Sequence, residues 1–236
     1  MTRRTNARVA GVTFLLYIVV GMASMVLTAR ATAGAGTAAQ LAGIAAHATQ
    51  VRITILLDLL ANMSALVLGV TLWAITRDQD PHLAMLALVC RVAEGIGGIG
   101  TLQTQGLLWL ASPARASAPD AAATQTLGAF FLRPGTFGPA AFFFAVGSTI
   151  FCWLLLRGRM IPAALAWLGV AGSLLVLVFF PLQLTSLFGG VGWFAAATRL
   201  MWYPLLVFEL TFAFWLIFKG VAAPRGSSLG TAPGAI

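Results

Sequence analysis

Charge is what this sequence has least of: 8% of its 236 residues are Asp, Glu, Lys or Arg, against about 25% in an ordinary soluble domain. A water-soluble fold of this length could not cover its surface. Cysteine is scarce too, with two in the chain, which excludes a disulfide-stapled secreted scaffold. His47 and His82 fall in different loops with no thiol or acidic cluster at ligand spacing, so no metal site and no cofactor are expected. Walker, nucleophile-elbow and HExxH patterns are missing. The 25 glycines follow no three-residue period, which removes a collagen-like reading.

What the chain has in excess is hydrocarbon. Apolar residues make up 60% and mean hydropathy is +0.94. The excess is concentrated in runs of about 20 residues, the length that crosses a hydrocarbon core of roughly 30 Å. The expected fold is all-α: a polytopic membrane helix bundle with six transmembrane helices at 9–27, 53–76, 83–110, 137–156, 162–180 and 200–218. These form one domain over 1–220, and the Pro-, Gly- and Ser-rich 221–236 reads as a disordered tail. No run alternates polar with apolar at period two, so a β-barrel is excluded. Segments 28–52 and 112–136 are longer than turns need. The first, with Leu41 and Ile44, suggests a short interfacial helix or a plain connection, and the second offers Thr124–Leu132 as a surface or re-entrant helix.

Net charge is +8, yet the basic residues form no patch, so nucleic acid is not an expected partner. They flank the apolar runs and face the lipid bilayer's headgroups. Eight (Arg3, Arg4, Arg8, Arg77, Arg157, Arg159, Lys219, Arg225) lie on the side of both termini and five (Arg30, Arg52, Arg115, Arg133, Arg199) opposite, which predicts cytoplasmic termini. Trp73, Trp153, Trp167 and Trp215 fall towards one interface and Trp109, Trp193 and Trp202 towards the other, as belts do. Ala31-Thr32-Ala33 after the first run resembles a signal cleavage site, but a nineteen-residue apolar stretch favours an uncleaved anchor.

Six acids occur in the chain, and three of them, Asp58, Glu94 and Glu209, fall inside predicted spans together with Arg91. A charge near the bilayer centre costs on the order of 2.5 to 3.5 kcal/mol, so these four should point into the bundle. Arg91 and Glu94 share a helix face that continues through Gly98, Thr101 and Gln105, Asp58 and Asn62 repeat the spacing on the second span, and Gln183 adds an amide beyond Pro181. One cation cannot neutralise three carboxylates in a low dielectric, so at least one carboxyl carries a proton at neutral pH. With Glu94 paired to Arg91 and Asp58 nearer water, Glu209 is the candidate. The same polar groups are equally suited to joining helices without chemistry. Gly95-Ile96-Gly97-Gly98-Ile99-Gly100 satisfies GxGxxG but sits in a span after no strand, and close helix packing accounts for it. Cys90 and Cys152 read as packed, reduced thiols.

The order of residues is itself informative. Arg91-x-x-Glu94-Gly95, then Ile161-Pro162 with Leu165, Trp167 and Gly169, then Glu209 with Trp215 and Lys219-Gly220 resemble a bacterial multi-pass family catalogued as domain of unknown function four-three-eight-six. The likeness runs from Ala10-Gly11 to Gly220. It implies the six-helix fold and a bacterial cytoplasmic membrane, directs interest to Arg91, Glu94 and Glu209, and assigns no reaction.

Three functional expectations follow. In the leading one the bundle encloses a polar cavity that binds, with or without acid–base conversion, an amphiphilic lipid- or isoprenoid-like molecule. Arg91 would orient the polar head, Glu94 would hold Arg91, Glu209 would donate a proton, and Asp58, Asn62, Thr101, Gln105 and Gln183 would line the site. The second is a small proton-coupled transporter, for which carboxyls at several depths are expected, and which a homo-oligomer would suit because no internal repeat is visible. The third is a non-catalytic assembly or helper subunit.

Overall fold

The computed structural model describes residues 2–96, 99–112, 120–132, 140–185, 187–188 and 191–223. They form ten helices and, among the described residues, no strand. Six spans are long and apolar enough to cross a membrane, built from α1 (Arg3–Ala31), α3 (Ala48–Thr76), α4 (Pro81–Ile96) with α5 (Ile99–Ala111), α7 (Ala140–Arg157), α8 (Ala163–Leu184) and α9 (Gly192–Leu200) with α10 (Trp202–Phe218). Two shorter helices, α2 (Thr37–Ala46) and α6 (Ala121–Phe131), lie between them. The protein is a multi-pass helical bundle, as its hydropathy requires.

Helix boundaries follow capping chemistry more than hydropathy. Thr2 caps α1 by accepting from the Thr5 N–H at 3.2 Å. Asp80 accepts from the N–H groups of His82 and Leu83 at 3.1 and 3.0 Å with Pro81 at the first helical position, and Asp120 accepts from Ala123 N–H at 2.7 Å. Helices α1 and α3 each run to 29 residues, about 44 Å at helical rise and longer than the apolar stretches that locate them. Helix α8 continues through Pro181 to Leu184 rather than stopping near Phe180, since a proline in the last turn removes one hydrogen bond only. The 28–52 segment holds α2 and the 112–136 segment holds α6. Residues 137–139 of the fourth predicted span and 224–236 of the predicted tail lie outside the described residues. Ala222, expected to be disordered, donates its N–H to Met160 O at 3.0 Å.

The spans pack in a closed ring in chain order, α1 on α3, α3 on α4, α4 on α7, α7 on α8, α8 on α10 and α10 back on α1. Spans consecutive in the chain are neighbours in space, as sequential elements usually are. With no hydrophobic drive between helices in lipid, close approach at small residues supplies the packing. A Cβ built on Gly11 would lie 2.7 Å from Ala213 O, and one on Gly69 2.9 Å from Arg91 Cβ, so α1 touches α10 and α3 touches α4 almost backbone to backbone. Inside, Phe14, Phe208 and Phe212 form an aromatic column with centroid spacings of 5.7 and 5.1 Å. Hydroxyls along the spans, Ser64, Thr71, Thr76, Thr149, Ser173 and Thr211 among them, donate to carbonyls one turn back and so need no water.

Candidate functional site

Ten residues into α4, about 15 Å along its axis, Arg91 is 1% exposed in the middle of the bundle. Its Nη1 donates to Glu94 Oε2 at 2.6 Å, an i,i+3 pair on one helix face. The guanidinium carbon lies 4.9 Å from the centroid of the Phe144 ring of α7 and 6.0 Å from that of Phe14 of α1, so aromatic faces stabilise the buried cation. Glu94, 6% exposed, accepts on its other oxygen, Oε1, from the Tyr17 hydroxyl of α1 at 2.9 Å. Both carboxylate oxygens are therefore occupied by donors from different spans.

Glu209, 7% exposed on α10, shares with Arg91 the lining of a cavity of about 10 Å³. That is room for one water. Ser148 and Cys152 of α7 and Phe208 and Phe212 of α10 also line it. A guanidinium, two carboxyls and a phenol from three spans thus meet at mid-depth, and Arg91's Nε is buried without an acceptor among the described residues.

Asp58 stands apart. It accepts from Ser24 Oγ at 2.7 Å, and Ser24 is seven residues beyond Tyr17 on α1, so this second polar contact sits about 10 Å along the helix from the first. Asn62 is half-buried one turn further along α3, where its backbone carbonyl would lie 3.0 Å from a Cβ on Gly95. Thr101 and Gln183 are half-buried and Gln105 is exposed. None of these five lines the cavity beside Arg91. The polar face expected to run from Arg91 to Gln105 does not stay inward, because α4 packs on α3 and α7 whereas α5 turns Leu107 and Leu110 towards α2 and a separate apolar cluster with Leu41 and Ile44. Gly97 and Gly98 lie outside the described residues.

Sequence reasoning missed Tyr17 and Ser24. Tyr17 is one of two tyrosines and Ser24 lies two turns on along the same helix face, but a hydroxyl in a span bonds a carbonyl of its own helix as readily as another helix, so this placement alone did not single them out. Cys90 and Cys152 are buried free thiols, and among the described residues no group of His, Cys, Asp and Glu is arranged to hold a metal.

A larger cleft, about 470 Å³, opens between α2, α5 and α6, with Leu41, Ala42, Leu110 and Ala121 on its walls and Thr124 and Gln125 at its polar edge. It is separate from the Arg91 cavity in all its lining residues.

A family model described as Domain of unknown function (DUF4386) matches residues 9–220. The chain belongs to that family. No curated protein and no solved structure matches it.

Proposed function

We propose that this member of a family without an assigned activity is a small proton-coupled membrane carrier, with the Arg91–Glu94–Tyr17–Glu209 cluster as its proton-binding core. One observation carries the reading: Arg91 and Glu209, two members of a buried cluster with more carboxyls than cations, line a cavity with space for a single water. No organic headgroup fits beside Arg91, and a proton does. The Ser24–Asp58 contact supplies a carboxyl at a second depth, as a stepwise route across a bilayer needs. Reconstituted protein subjected to a pH jump on a supported membrane is expected to give a transient charge movement, which Glu209→Gln reduces at least tenfold. Indistinguishable currents from the two proteins would overturn the reading.

The binding of an amphiphilic, lipid- or isoprenoid-like molecule remains the second reading, and the observation that favours it is the cleft between α2, α5 and α6. Its volume of about 470 Å³ falls in the range of small-molecule sites, and its Ala and Leu walls suit an apolar chain. Native mass spectrometry of protein extracted from membranes tests it, with retention of a small molecule that Ala42→Trp displaces as the supporting result.

A further inference from the structure

The hydrogen bonding of Arg91 is unequal around its fork. Nη1 is matched to Glu94, whereas Nε is buried with no acceptor among the described residues, and a native core rarely leaves such a donor unmatched. Glu209 is its complement: a buried carboxyl with no hydrogen bond among the described residues, lining the same cavity. Ser148, also buried and lining that cavity, has a hydroxyl with no partner among the described residues. Glu94 by contrast is saturated by Arg91 and Tyr17. The titratable groups around Glu209 are Arg91 and Glu94 from α4, Tyr17 from α1 and Cys152 from α7, while of the other elements packed on α10, α8 carries none and α9 carries Arg199, which is exposed and donates to Ala195 O.

We infer that Glu209 is a second counter-ion for Arg91, and that the guanidinium exchanges its pairing from Glu94 to Glu209 across a single water held between Arg91, Ser148 and Glu209. The exchange is balanced by one proton. As Arg91 Nη1 leaves Glu94 Oε2, the Glu209 carboxyl gives its proton to the water, the water passes a proton to the Glu94 oxygen so released, and the guanidinium, charged throughout, follows the negative charge to Glu209. Only O–H bonds break and form, and the net charge of the core is unchanged. The inference rests on the proton-carrier reading for its purpose but not for its geometry. It gives that reading a two-state element, since Glu94 is held by α1 and α4 whereas Glu209 belongs to α10.

A double-mutant cycle on the purified protein tests it. Glu94→Gln and Glu209→Gln are each expected to lower the thermal midpoint moderately, because the other carboxyl takes over Arg91. The double variant is expected to fall by more than the two single shifts together, and adding Arg91→Gln to it should recover part of the loss. In infrared difference spectra the protonated-carboxyl band that Glu209→Gln removes should also vanish in Glu94→Gln, where Glu209 becomes the ionised partner. The idea is overturned if Glu94→Gln alone shifts the midpoint as far as the double variant, with Glu209→Gln silent in both backgrounds, or if the band survives in Glu94→Gln. Should the double variant not be recovered folded, the infrared comparison decides. Absent pH-jump currents with a non-additive cycle would sink the carrier reading and leave the counter-ion exchange standing.

Discussion

Tyr17 holds the far side of the ion pair, and its single hydroxyl tells how tightly the core is specified. With Oε2 of Glu94 on Arg91 and Oε1 on Tyr17, Tyr17→Phe removes one charge-assisted bond and leaves a carboxylate oxygen without a donor. The expected loss is about 1.5–3 kcal/mol, read as a lower thermal midpoint in detergent. Tyr203→Phe is the control, since that residue is 62% exposed and a change there should stay within about 0.5 kcal/mol. Equal effects would mean that the Tyr17 contact contributes nothing. Arg91, Glu94 and Glu209 were legible in the sequence because burying charge in hydrocarbon is costly enough to constrain which way each must face. Tyr17 and Ser24 were not, because a hydroxyl in a span is cheap: most of those here donate to a carbonyl one turn back, and nothing in their spacing distinguishes the two that reach across to another helix.

At the scale of the element, the spans were legible by length and composition, and their ends and pairings were not. A hydropathy run records only the apolar stretch, while Thr2, Asp80 and Asp120 decide where the backbone begins to coil. Pairing depends on which glycine meets which backbone. Gly11 faces Ala213 O, where an added Cβ would sit at 2.7 Å. Two effects oppose each other in Gly11→Ala: about 1 kcal/mol of helix propensity gained against about 1–3 kcal/mol of overpacking. Ile217, also 2.7 Å from that Cβ, can turn its side chain aside, but a carbonyl on a packed helix cannot. Overpacking should therefore win, with a net loss of stability. Gly21 on the same helix has nothing within 4 Å, so Gly21→Ala should stabilise by about 0.5–1 kcal/mol. Opposite signs for the two variants, measured under one set of conditions, confirm the close α1–α10 contact; matching signs would contradict it.

For the whole molecule, six spans in ring order bring the start of α1 and the end of α10 to one end, and contacts made there hold that end together. Arg3 pairs with Asp78 at 2.6 Å, and Ala222 N–H reaches Met160 O. Which compartment this end faces follows from charge: eight Lys and Arg residues against five at the other end, with the nearby acids counting for little in the insertion rule. Cytoplasmic termini are expected. In that orientation a proton arriving from outside meets the Ser24–Asp58 contact first and the Tyr17–Glu94–Arg91 layer about 10 Å further in, so the direction of any coupled transport depends on the assignment. Single cysteines decide it in intact cells, and the chain is well suited to the experiment because Cys90 and Cys152 are buried and give little background. Arg30→Cys should react with a membrane-impermeant maleimide from outside, whereas Arg77→Cys, exposed on the turn after α3, should react only after the cells are opened. The reverse pattern would invert the bundle and make the Arg91–Glu209 cavity, rather than Asp58, the nearer carboxyl layer to the outer surface.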